Sequence, residues 1–74
     1  MKYHNESYLR NIAKQIKNNS ESDIKNIIKD LKKLLKEAQY EYNMINNYTA
    51  PEEIENRKQA VYYYEDLLSL LKEE

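Results

Sequence analysis

The chain has 74 residues, no Cys, no Gly, one Pro, one His and a formal net charge of −1. That length allows one domain with a thin core, and the missing Cys together with the lone His4 exclude a disulfide framework and a Cys/His zinc cluster. A near-neutral charge gives no bulk field for nucleic acid or a membrane surface. The absence of Gly argues against hairpin-rich sheets, and Lys, Glu, Leu and Ile in quantity are the composition of long helices.

The first segment carries Tyr8 or Leu9, then Ile12, Ala13 and Ile16, on one helical stripe. This spacing predicts a helix over about residues 4–17, with Asn18-Asn19 as a left-handed stop.

The second segment is longer. Ile24, Leu31, Ala38 and Ile45 recur every seven residues, beside a second row of Ile28, Leu35 and Tyr42 and the adjacent Ile27 and Leu34. One wide apolar stripe of helical period follows. Ser20 with Asp23 three residues later is a capping box, so this helix is expected from about 21 to 47.

The third segment opens on Thr49-Ala50-Pro51-Glu52, a capping Thr followed by Pro in the first turn. Ile54, Val61 and Leu68 repeat every seven residues, as do Ala60 with Leu67 and Tyr64 with Leu71. A helix over about 50–72 is predicted. The short connection at 46–49 makes the second and third helices antiparallel neighbours. Matching their repeats places Ile45 near Ile54, Ala38 near Val61 and Leu31 near Leu68.

The expected architecture is all-α, one domain over residues 1–74: a small three-helix bundle built on a long antiparallel hairpin. Ile24, Ile28, Leu31, Leu35, Ala38, Val61, Tyr64, Leu68 and Leu71 form its predicted core. The first helix is too short to reach the loop around Tyr48, so the hairpin projects uncovered at that end. Apolar positions between about 40 and 61 then lack cover within the chain, which makes self-association an expectation. The apolar stretches are short and broken by charges, so no transmembrane span is predicted. The N-terminus lacks the apolar run of a signal peptide, and a cytoplasmic location is expected.

Catalytic chemistry is hard to assemble here. Nucleophilic catalysis needs a nucleophile with a base in reach, and His4 lies at the end of the chain. A phosphate-cradling loop needs Gly. No cofactor, no metal site and no enzymatic activity are expected.

Three features remain. Lys25, Lys29, Lys32, Lys33 and Lys36 occupy one sector of the second helix, an arrangement that serves either as a solvated face or as a phosphate-binding row. Residues 37–56 hold Glu37, Glu41, Glu52, Glu53 and Glu55, no Lys or Arg, and Tyr40, Tyr42 and Tyr48. Charge is polarised along the chain, with +3 over residues 1–17, zero over 18–48 and −4 over 49–74. Finally, Tyr62, Tyr63 and Tyr64 point about 100° apart on a helix, so they cannot share one core face. Tyr64 belongs to the core stripe, which leaves Tyr62 and Tyr63 for the first helix or a partner.

These features predict a small protein-binding regulator or inhibitor docking through an acidic, Tyr-rich hairpin tip onto a partner with a basic surface. The alternatives are an accessory protein binding nucleic acid through the Lys stripe, and a self-assembling homo-oligomeric bundle. A short-helix DNA reader with a Gly-containing turn does not fit two long helices in a hairpin. Asn, Lys, Ile and Tyr dominate, and Lys outnumbers Arg ten to two. That bias points to an AT-rich genome of bacterial or phage type.

Overall fold

The computed structural model describes residues 2–72. Three helices account for most of them: α1 (Glu6–Lys17), α2 (Glu21–Asn43) and α3 (Pro51–Lys72). No strand occurs among the described residues. The molecule is elongated, 44 × 23 × 14 Å with a radius of gyration of 13.7 Å, against about 11 Å for a compact domain of this length.

Both helical turns are made without any residue of positive φ among those described, consistent with a chain that has no Gly. At the first turn, Asn18 keeps right-handed dihedrals (φ −78, ψ −5), so the expected left-handed stop does not form. The Asn19 side chain ends α1 instead, its Nδ2 donating to the carbonyls of Gln15 (3.2 Å) and Ile16 (3.0 Å). The same two carbonyls also accept the backbone N–H groups of Asn18 (3.3 Å) and Asn19 (3.0 Å), so the side chain adds a second donor to a tightened last turn. Ser20 starts α2 as expected, accepting from the Asp23 backbone N–H at 3.2 Å.

The second turn departs further. α2 stops at Asn43, four residues short of the predicted end, and Met44 closes it with bonds to the carbonyls of Tyr40 and Glu41. Asn46 then builds its own turn: its Oδ1 accepts from the Tyr48 N–H (2.8 Å), and its carbonyl from the Thr49 N–H (3.1 Å). Thr49 was expected to cap the third helix. Its hydroxyl instead accepts from the Asn46 backbone N–H at 3.0 Å and donates to Asn46 Oδ1 at 3.4 Å, because a Thr hydroxyl can bond back to nearby turn groups as readily as cap a helix.

The hairpin register is close to the heptad reading, which puts Arg57 opposite Tyr42. Arg57 Nη1 donates to the carbonyl of Glu41, one residue away, at 3.0 Å. Ala38 and Val61 are both buried, as are Leu31 and Leu68.

α3 is the hub. α2 packs along it and α1 rests on it as well, whereas α1 and α2 touch only lightly. The core cluster joins Leu9 and Ala13 of α1, Leu31 of α2, and Leu67, Leu68, Leu70 and Leu71 of α3. Leu9 and Leu67 are its most enclosed members. The predicted core therefore needs correction. Ile24, Ile28, Leu35 and Tyr64 are only half-buried, and Leu34, on the apolar stripe but outside the predicted core, is 40% exposed. Leu9, Ala13, Leu67 and Leu70 take their place at the centre. The four leucines of α3 span about 160° of the helix surface, which one neighbour cannot cover and two can.

Leu67→Ala removes a side chain 1% exposed and is expected to cost about 2–5 kcal/mol, enough to threaten a fold this small. Leu34→Ala is expected to stay within about 0.5 kcal/mol. Thermal melts of the two variants beside the parent check the ordering.

Candidate interaction surfaces

The N-terminal residues form a strap across α3. Asp66 is 7% exposed, and its carboxylate accepts the backbone N–H of Lys2 at 2.8 Å and that of Tyr3 through the same Oδ2. A buried carboxylate needs such donors, since an unmatched one is costly. Lys2 Nζ also reaches Glu65 at 3.3 Å.

The strap accounts for the tyrosine run. The Tyr3 ring meets Tyr63 edge-on at 5.3 Å, and Tyr63 meets Tyr64 edge-on at 5.2 Å. Lys2 and Lys58 lie over the Tyr62 ring, 5.4 and 5.8 Å from its centroid. Tyr62 and Tyr63 are thus half-buried and engaged within the chain. Burial pushes the Tyr63 hydroxyl above its ordinary value, and the neighbouring phenols of Tyr8, Tyr64 and Tyr3 add to the rise.

The opposite end of the hairpin has no such cover. α1 and its strap lie against the C-terminal half of α3, and the turn between α2 and α3 extends beyond them. Tyr48, at the apex of the Asn46 turn, is 96% exposed. Tyr40 (66%), Met44 (57%) and Tyr42 (39%) are exposed behind it. Glu37, Glu41, Glu52, Glu53 and Glu55 are all exposed as well. Their charge is partly offset by a residue just outside the acidic stretch. Arg57 pairs with Glu53 at 2.8 Å while its other arm caps α2. Gln59 donates to Glu55 at 3.0 Å, which leaves that charge in place. Among the described residues Glu37, Glu41 and Glu52 have no ion-pair partner.

The Lys stripe is where the period put it. Lys25, Lys29, Lys32, Lys33 and Lys36 are exposed on the side of α2 away from the core, with no ion pair among the described residues. A second basic feature lies elsewhere: Arg10, Lys14 and Lys17 border a shallow groove of about 260 Å³ floored by Ala13 and Leu70. His4 is exposed. Among the described residues no three His, Cys, Asp or Glu side chains cluster as metal ligands would. No described helix is long and apolar enough to cross a membrane.

Compared with protein-family models, curated proteins and solved structures, the chain matches none.

Tyr63 gives a pH test of the strap. A phenol whose value is raised on folding stabilises the fold fully below the ordinary value of 10.0, and that contribution is lost as pH rises through the higher folded-state value. Stability is expected to fall in that alkaline window, and Tyr63→Phe is expected to remove a phenolate that appears above the ordinary value in an ultraviolet titration. Loss, instead, of a phenolate that appears at or below the ordinary value would contradict the half-buried position of this ring.

Proposed function

We propose that this protein is a small interaction module, a regulator or inhibitor of another protein, that docks through the uncovered end of its helical hairpin onto a basic surface. The observation that carries the reading is the exposure of Tyr48 at the apex of a turn fixed by Asn46 and Thr49. Tyr offers a large amphipathic contact with few rotatable bonds, and it is enriched where proteins bind one another. Holding it on an ordered turn lowers the entropy lost on docking.

Charge supports the same reading. Glu52 and Glu55 stand beside the turn at the positive end of the α3 dipole, where carboxylates are favoured even in the isolated chain. Across an interface they would act on encounter rate and partner choice more than on affinity. The five lysines of α2 support a second reading, nucleic-acid binding. They carry it less far, because the row contains no Arg to make bidentate contacts with phosphate or base edges.

With a captured partner in hand, E52K/E55K is expected to slow association and flatten its salt dependence, with only the modest loss of thermal stability that follows from placing cations at the α3 N-terminus. Tyr48→Ala is expected to speed dissociation and cost about 2 kcal/mol or more of binding. Replacing Lys25, Lys32 and Lys36 together by Gln is expected to do neither. Surface plasmon resonance of the three variants separates the readings. Lysine changes that abolish binding, with tip changes silent, would transfer the assignment to nucleic acid.

A further inference from the structure

α2 carries a row of side chains four residues apart: Lys29, Lys33, Glu37 and Glu41. Residues at this spacing form one ridge of a helix surface, the kind that packs into the grooves of a neighbouring helix. All four are exposed; Lys29, Lys33 and Glu37 lie on the side of α2 turned away from its buried Leu31 and Ala38, and Glu41 lies at the edge of that face, where its carbonyl meets Arg57 of α3. Within the described residues none of their side chains makes a hydrogen bond or ion pair.

Within one chain this row is unfavourable. Lys29 and Lys33 are like charges one turn apart, and so are Glu37 and Glu41; such pairs destabilise a helix. The one opposite pair, Lys33 with Glu37, has Lys on the N-terminal side, the weaker order. Elsewhere the chain uses the better order and closes it: Glu6 with Arg10 and Glu53 with Arg57, each at 2.8 Å.

Read in reverse, the row is its own complement. A second α2 laid antiparallel, about a two-fold axis between Lys33 and Glu37, sets Lys29 opposite Glu41 and Lys33 opposite Glu37. Symmetry makes each contact twice. We propose that the outer face of α2 is a homodimer face, and that its occupant is a second copy of this chain in that antiparallel register. The neighbouring rows supply the apolar area that surface charges alone do not: Leu34 on one flank, Tyr40 and Met44 on the other, 40%, 66% and 57% exposed. The dimer leaves the two hairpin turns at opposite ends with Tyr48, Glu52 and Glu55 uncovered. It therefore stands whether or not those turns dock on another protein.

Sedimentation equilibrium of the full chain alone tests it, with circular dichroism as the check on folding. The parent is expected to dimerise in a salt-sensitive manner. K29E/K33E turns the row wholly acidic and E37K/E41K turns it wholly basic; each is expected to weaken the dimer about tenfold or more. An equimolar mixture of the two is expected to restore it as a heterodimer. The fourfold variant K29E/K33E/E37K/E41K, its charge order inverted but again self-complementary, is expected to dimerise like the parent. A parent that stays monomeric near millimolar concentration would overturn the proposal. So would a dimer indifferent to K29E/K33E, or a mixture of the two double variants that stays monomeric.

Discussion

The carboxylate of Asp66 joins the two ends of this chain, and the rest of the structure is arranged around that junction. Sitting nearly enclosed on α3, it takes the N–H groups of Lys2 and Tyr3 and so fixes where the N-terminal strap can lie. The strap brings Tyr3 onto Tyr63 and leads into α1, whose Leu9 enters the same cluster as Leu67. α1 spans only twelve residues, about 18 Å, against about 33 Å for α3. Anchored at that level, it cannot cover the other half of the hairpin.

The consequence is a molecule with two unlike ends. One is stapled, with three helices, the strap and most of the apolar burial. The other is a bare two-helix hairpin, whose turn is set by Asn46 and Thr49 and whose helices are tied by Arg57. An unsupported helical pair is marginal alone, so stability generated at the stapled end must be carried along α3 to the tip. α3 meets this demand by having neighbours on two sides, which explains why four of its last six described residues are buried leucines. The proposed roles follow this polarity. The tip presents Tyr48 to other molecules, and the outer face of α2 carries the self-complementary charge row.

Much of this was legible in the residues, and the part that was not has identifiable causes. Apolar residues three and four apart located the first helix and seven-residue repeats the other two, and those repeats paired positions that are indeed buried together, Ala38 with Val61 and Leu31 with Leu68. Ser20 could be assigned as a cap because nothing nearby competes with it. Thr49 could not, because Asn46 three residues earlier claims its hydroxyl. The core list failed where a single stripe per helix was assumed. Leu67, Leu68, Leu70 and Leu71 already announced a helix buried on two sides, since no single face holds all four. The exposed tip was readable from the short first helix. The bond between Asp66 and the N-terminal backbone was not, because it links groups more than sixty positions apart through main-chain donors that every residue type offers. For the same reason the explanation of Tyr62 and Tyr63, side chains that looked available for a partner, became visible only in three dimensions.

Native-state hydrogen exchange on Asp66→Ala tests this account most directly. Loss of the carboxylate loosens the strap, and exchange is expected to accelerate most in residues 2–17, less in the part of α3 that they cover, and least in α2. Faster exchange spread evenly over all three helices, or a strap and α1 as protected as in the parent, would contradict the view that this one side chain fixes where α1 lies and so which end of the hairpin is left open.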